Sequence, residues 1–159
     1  MSKGNVEFEN KNIEYYTPKS VVDMFGSFEY DPATTEEKAV DLGIPDYDTI
    51  ETDGLLSDWT QYKTIWCNPP FNRKHEFWEK ACYSFCKAKN EIKFLCPIEF
   101  LTTKRFHNSL LKYGLGCKLY VPSGRIKFQS GIGLNEKSPA FGSVIISPSE
   151  QNELFLIKG

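Results

Sequence analysis

Asn68, Pro69, Pro70 and Phe71 are the residues whose types and order point most directly to chemistry. They follow a β-branched and aromatic run, Thr64 to Cys67, and the two prolines end it because neither can donate to a sheet ladder. Consecutive prolines stiffen the backbone and leave carbonyls to accept, while Asn68 adds a side-chain oxygen and Phe71 a flat apolar face. Such a turn can grip a planar amino group. An exocyclic NH2 donating one hydrogen to the Asn68 side-chain oxygen and the other to the Pro69 carbonyl has its lone pair turned towards an incoming electrophile, with Phe71 stacked on the ring. The same four residues equally suit a rigid strand-to-helix turn in which Asn68 is only a cap.

Cations gather just after this turn. Residues 1–70 hold five lysines against 14 carboxylates, a net of −9, whereas residues 71–128 hold 12 Lys and Arg against four Glu, a net of +8. A basic stretch in an otherwise acidic chain suits a polyanion footprint on one face, because phosphate neutralisation depends on local cation density. With a formal net charge of −2 and a pI near 5.8, that contact is expected to be modest and salt-sensitive. Arg73, Lys74 and His75 beside the turn, and Arg125 and Lys127 in a later loop, are the cations expected near phosphates, Arg125 being better shaped than Lys127 for a bidentate contact. Each also suits simple loop solvation. His75 and His107 read as surface or capping histidines and not as proton carriers. Cys67, Cys82, Cys86, Cys96 and Cys117 form no CxxC pair and read as reduced thiols in or near the core, so no metal site is expected.

The elements that must position these groups alternate. At 159 residues and 40% hydrophobic content the chain suits one domain spanning 1–159, with residues 1–12 as a flexible arm. No run approaches the roughly 20 apolar residues of a membrane span, and the polar, acidic first 20 residues do not resemble a signal peptide, so no membrane partner and a cytoplasmic location are expected. Thr17 and Pro18 are expected to open a short helix stopped by Gly26, and Thr34 or Thr35 to cap a second with Glu36 and Glu37 in its first turn. Strands are expected at Ser27 to Asp31, Thr64 to Cys67, Lys93 to Cys96 and Lys118 to Val121. A helix is expected through Phe77, Trp78, Ala81, Cys82 and Phe85, and another at Thr103 to Tyr113 with Phe106, Leu110 and Leu111 inward. Trp59, Trp66 and Trp78 read as core, though Trp66 could wall a pocket. Residues 122–140 read as a long loop before two terminal strands, Gly142 to Ile146 and Glu153 to Ile157, expected to form an antiparallel edge. Strand–helix alternation predicts an α/β domain with a mostly parallel sheet and helices on both faces, binding ligands beyond the carboxyl ends of its strands.

The Asn68-Pro69-Pro70-Phe71 turn resembles the signature of the S-adenosylmethionine-dependent amino-methyltransferases. Thr49-Ile50-Glu51-Thr52-Asp53-Gly54-Leu55-Leu56 precedes it where that class has an acidic cofactor motif, and Tyr15-Tyr16-Thr17-Pro18 resembles its N-terminal cofactor motif. More narrowly, Asp31-Pro32-Ala33, Trp66-Cys67-Asn68-Pro69-Pro70-Phe71, Gly124-Arg125-Ile126-Lys127-Phe128 and Ser138-Pro139-Ala140-Phe141-Gly142-Ser143 resemble the phage Dam-type DNA N6-adenine methyltransferases, from about residue 15 to 146. The Gly-rich turn of many methyltransferases is absent, and Asp31-Pro32-Ala33-Thr34-Thr35 stands in its place. A cofactor without phosphate has no need of a glycine cradle.

The resemblance implies a single-domain Rossmann-like methyltransferase fold, S-adenosylmethionine as cofactor and DNA as partner. Asn68, Pro69, Pro70 and Phe71 would be catalytic. Tyr16, Thr17, Pro18, Asp31, Pro32, Ala33, Asp53, Gly54 and Asn68 would line the cofactor site. Asp31 is the candidate for the cofactor's cationic amino-acid end and Asp53 for its adenine amino group. The carboxylate for the ribose hydroxyls stays open among Asp41, Asp46 and Asp48. The implied reaction is direct transfer to a flipped-out adenine. An RNA or glutamine-amide methyltransferase, and a catalytically silent binding domain, are the alternatives. With little chain left for target recognition, a short or relaxed recognition sequence is expected, and nothing in the sequence decides the oligomeric state.

Overall fold

The computed structural model describes residues 15–130, 135–137 and 142–158, so the expected arm at 1–12 and the Ser138–Phe141 part of the late block lie outside the described residues. In chain order the elements are β1 (Tyr15–Tyr16), α1 (Lys19–Asp23), β2 (Tyr30–Asp31), α2 (Glu36–Leu42), β3 (Asp46–Tyr47), β4 (Thr64–Cys67), α3 (Lys74–Ala88), β5 (Glu91–Pro97), α4 (Lys104–Tyr113), β6 (Gly116–Ser123), β7 (Phe128–Ser130), β8 (Asn135–Lys137), β9 (Ser143–Ser149) and β10 (Glu153–Lys158). Short 3-10 turns at Gly54–Leu56, Trp59–Gln61, Phe71–Arg73 and Ile98–Thr102 join them. No helix among the described residues is long and apolar enough to cross a membrane.

Seven strands form a mixed, mostly parallel sheet in the order β10-β6-β9-β5-β4-β2-β3. Side chains alternate across it. Ile65, Cys67, Phe94, Cys96, Val144 and Ile146 join one core with Phe77 and Trp78 of α3 and Phe106 of α4. Trp66, Leu95 and Ile145, one residue out of phase, join a second core with Val21 and Val22 of α1 and Leu42 of α2. Two cores on opposite faces explain why β4, β5 and β9 read as continuous apolar runs, as strands covered on both sides do.

The expected antiparallel C-terminal edge is corrected by the pairing. β9 runs antiparallel to both β5 and β6 and lies between them, and β10 is the edge strand, parallel to β6. All seven residues of β9 are buried, whereas five of the six in β10 are exposed. The short connection at residues 150–152 therefore passes over the start of β6. Gly116 makes this possible, since a Cβ there would stand 2.7 Å from the Gln151 carbonyl carbon. Asn152 Oδ1 then accepts from the Cys117 N–H at 2.9 Å, pinning the crossing.

Local expectations held where local physics decides. β4 spans Thr64–Cys67 as expected and Thr35 caps α2 by accepting from Lys38 N at 3.1 Å; Thr103 also caps α4, by accepting from Phe106 N at 3.2 Å, a role not expected of it. Leu111 is a correction. It is 76% exposed, and Ser109 is buried in its place. Five residues beyond Phe106 is about 140° around a helix, away from the core-facing stripe that Phe106 and Leu110 define. The expected loop at 122–140 also holds structure, since β7 pairs with β8 and with β1, all antiparallel, forming a small second sheet.

Candidate active site at the reversal of strand order

From β2 the chain steps outward to β3 and returns to the other side of β2 as β4, so strand order reverses between β2 and β4. At such a reversal the connections after the two strands diverge to opposite sides and leave a crevice at their carboxyl ends. Asp31 ends β2 and Asn68 follows β4 directly, which puts both at that crevice.

Asp31 is 2% exposed. Its Oδ1 accepts from the Ala33 N–H at 2.9 Å, and no cation pairs with it among the described residues. Burial pushes its carboxyl up to about 7, with the Ala33 bond pulling the other way. Burial also holds the neighbouring Cys67 thiol well above its ordinary range, with the Asp31 charge acting in the same direction. A buried carboxylate with no counter-ion is costly, and it suits a cationic ligand group.

Across the crevice, Asn68 Nδ2 donates to Thr17 Oγ1 at 3.1 Å. Thr17 does not cap α1, as the sequence suggests. Pro18 occupies the cap position without a side-chain bond, and Thr17 is buried facing Asn68. The bond fixes the amide so that Oδ1 points to the opposite edge of its plane. Pro69 is buried and Pro70 half-buried, with the Pro70 carbonyl taken by the Arg73 N–H at 3.0 Å. Of the two proline carbonyls, Pro69's is thus the one without a donor among the described residues.

Phe71 is 56% exposed, and the Lys74 ammonium sits 3.7 Å over its ring while donating to the Phe71 carbonyl at 2.8 Å. A Lys three residues after an aromatic in a helical turn is the sequence signal for this contact. Partial burial lowers the Lys74 pKa.

The Asp53 loop closes a third side. Asp53 has a left-handed φ of 59°, its Oδ1 accepts from the Leu55 N–H at 3.1 Å, and its Oδ2 pairs with Arg73 Nη2 at 3.5 Å. Gly54 is buried against Pro32, where a Cβ would stand 2.8 Å from Pro32 Cβ, and its carbonyl accepts from Trp59 Nε1 at 2.9 Å. Absence of a side chain at Gly54 therefore lets the Asp53 loop press against the Asp31-Pro32-Ala33 segment. Of the three open carboxylates, Asp41 pairs with Lys38 and Asp46 accepts from the Tyr62 hydroxyl. Asp48 follows β3, its backbone bonded to both Asp31 and Thr34. Burial pushes the Asp48 carboxyl up, but the hydroxyls of Ser57, Tyr30 and Thr52 outweigh it and hold it below the ordinary range.

The expected phosphate contacts are spread out. Arg73 is committed to Asp53 and to Glu76 at 3.4 Å. His75 packs on Phe100 with ring centroids 4.8 Å apart, and burial, then Arg105 and Lys74, lower its pKa. Arg125 and Lys127 are exposed on either side of the buried Ile126. The Tyr16–Gln129 pairing lays this loop alongside the segment that carries Thr17 and Pro18. Sequence spacing gave no sign of that juxtaposition.

Residues 9–150 match the family model described as DNA N-6-adenine-methyltransferase (Dam). A DNA N-6-adenine-methyltransferase of Escherichia phage T1 is 28% identical over 130 residues, covering 72% of this chain and 53% of the relative. The chain thus spans about half the length of the curated relative it matches. With nearly its whole described sheet inside the family match, and with Asp31 and Asn68 at the carboxyl ends of the two strands that flank the reversal, the chain belongs to the DNA N-6-adenine-methyltransferase (Dam) family.

Proposed function

We propose that this chain methylates the N6 amino group of a flipped-out adenine in DNA, on a Rossmann-like fold and in the cytoplasm. The observation that carries the reading is the pair of groups at the strand reversal, a buried Asp31 with no cation paired to it among the described residues and an Asn68 amide oriented by Thr17. When bound, S-adenosylmethionine supplies a methyl group made electrophilic by its sulfonium.

The residues present fit that cofactor. Asp31 offers a negative charge, in a dry setting, to an ammonium. Asp53 Oδ2 offers an acceptor to the adenine amino group, and our reading assigns the ribose hydroxyls to Asp48, which lies one residue beyond β3 and is bonded through its backbone to Asp31. On the substrate side, Asn68 Oδ1 and the Pro69 carbonyl accept the two hydrogens of the target amino group. Its lone pair is delocalised into the ring, so acceptors that hold the nitrogen closer to tetrahedral favour the charge that develops there. Phe71 supplies stacking that replaces what the base loses on leaving the duplex. Lys74, Arg125 and Lys127 supply local positive charge for the phosphates.

The test is transfer of tritiated methyl from S-adenosylmethionine to unmodified DNA and, separately, RNA, with hydrolysed nucleosides resolved. Labelled N6-methyladenine from DNA is expected. Removing an acceptor aimed at developing charge costs on the order of 10² to 10³ in rate by analogy with oxyanion-hole donors, so Asn68→Ala should be folded and nearly inactive. Label in 5-methylcytosine, or in RNA alone, would overturn the proposal.

A further inference from the structure

We infer that a second copy of this chain docks on β10, the two edge strands pairing antiparallel about a two-fold axis at Phe155 and joining the sheets of both copies into one. β5, β9 and β6 separate β10 from the strands of the reversal, so the inference is independent of the functional reading.

The two edges of the sheet are built differently. At one, β3 is two residues long and carries Asp46, a short, charged edge of the kind that resists pairing. At the other, β10 runs for six residues and has a strand partner on one side only among the described residues, so its outer row of N–H and C=O groups is a template for another strand. The middle of β10 is apolar on both faces. Leu154 and Leu156, 62% and 81% exposed, stand beside Leu119 and Val121 on the side of α3 and α4. Phe155 points to the opposite side and stacks on Tyr120 with ring centroids 5.0 Å apart. Charges stand only at the ends of the strand, at Glu153 and Lys158, and Glu153 is paired with Lys118 at 3.9 Å.

Symmetry selects the occupant and the register. Opposed residues of an antiparallel pair point to the same face, and a two-fold axis normal to the sheet keeps each face on its own side. Opposed positions must therefore be both odd or both even, and the axis passes through a residue. Centred on Phe155, each Leu154 meets Leu156 of the second copy, which makes two leucine pairs on one face. On the other face the two Phe155 rings come side by side between the two Tyr120 rings, and each Glu153, already held by Lys118, faces Ile157 at the rim. Centred on Leu156, one leucine pair remains and both Leu154 side chains face Lys158; centred on Leu154, both Phe155 rings face Glu153. Centres nearer either end leave part of the strand unpaired. β10 is thus complementary to itself in one register. The pairing also closes, because only the two short β3 edges remain, so the product is a dimer and not a filament. The parallel strands of the two copies then run in opposite directions, which sets their crevices at opposite ends of the joined sheet.

The experiment measures the mass of the full chain by sedimentation equilibrium over a dilution series, and maps disulfides under a mild oxidant in variants that each add one cysteine. An edge-to-edge interface is narrow and its dimer weak, so twice the 18.3 kDa of the chain is expected at about 200 µM, falling towards one chain on dilution. Leu154→Lys combined with Leu156→Lys opposes like charges across the seam and should weaken the dimer at least about tenfold, while the urea midpoint stays close to wild type because both leucines are exposed. Phe155→Cys should form a disulfide between the two copies at position 155, identified by mass spectrometry, because directly opposed Cα atoms stand about 4.5–5.5 Å apart, within disulfide reach. Leu154→Cys and Leu156→Cys should form none with themselves, since each opposes the other position. A wild type of one-chain mass at every concentration, a folded double variant that dimerises as tightly as wild type, or a Phe155→Cys protein that does not cross-link at 155 overturns the inference.

Discussion

Replacing Asp31 by Asn should stabilise the ligand-free protein at alkaline pH while destroying its affinity for cofactor. The side chain is 2% exposed and its carboxyl is pushed up to about 7, against an ordinary value of 3.8. Between those values the native state keeps a proton that the unfolded chain has released, so stability falls as pH rises through that window. The slope is about 1.4 kcal/mol per pH unit, and at pH 8 the accumulated loss is about 4 kcal/mol. Asn keeps an oxygen for the Ala33 N–H and does not ionise, but it buries an amide nitrogen whose missing partner costs about 1–3 kcal/mol. The net expectation at pH 8 is a gain of about 1–3 kcal/mol, a rise in Tm of roughly 2–10 °C for a domain of this size. At pH 4 the gain should vanish and reverse, because Asp31 is then protonated in the folded state and close to half protonated in the unfolded one. Thermal unfolding of both proteins at pH 4 and 8 tests the sign. Breaking a buried charge pair costs about 3–5 kcal/mol, so the Kd of S-adenosylhomocysteine should rise by at least about 10² in calorimetry. An Asp31→Asn protein that is less stable than wild type at pH 8, or that binds the ligand unchanged, would refute the argument that this carboxylate lacks a counter-ion and waits for one.

Thr17→Val should lower kcat by about 5- to 30-fold with little change in KM for DNA, since it removes about 1–2 kcal/mol of amide orientation at Asn68, and Thr17→Ser should restore it. Gly54→Ala should destabilise the fold by about 1–3 kcal/mol in urea titration, because the added methyl meets Pro32 backbone that cannot yield. Asn90→Ala should cost about 2–4 kcal/mol in the same assay, as its buried amide nitrogen ties together the carbonyls of Trp59 and Tyr62 and the Ser84 hydroxyl. Leu111→Gln should stay within about 0.5 kcal/mol of wild type, and a larger loss would mean that the exposed helix face is covered in solution.

What could be read from sequence was what neighbours along the chain decide. The prolines at 69 and 70 ended β4, Thr35 capped α2, and the spacing of Phe77, Trp78, Ala81 and Cys82 marked the buried face of α3. Asp31 and Asn68 were legible as ends of strands, though which strands adjoin was not. Contacts between distant segments stayed hidden. Thr17 looks like a cap because its sequence neighbour is Pro18, yet its bond is to a residue 51 positions away. Asp53 looked open to a ligand, and its pairing with Arg73, 20 positions on, depends on how two loops converge. The insertion of β9 depended on Gly116, which by itself could pass for part of the helix stop at Gly114.

That insertion bears on synthesis. β5 and β6 are successive in the chain yet not adjacent in space, and the gap between them is filled only by Ser143–Ser149. On the ribosome, the half carrying Asp31 and Asn68 therefore emerges with a raw apolar edge at β5, and it stays open to stray pairing until some fifty further residues have been translated. Translational pauses within this interval should raise the misfolded fraction, and ribosome-stalled chains ending before residue 143 should be protease-sensitive.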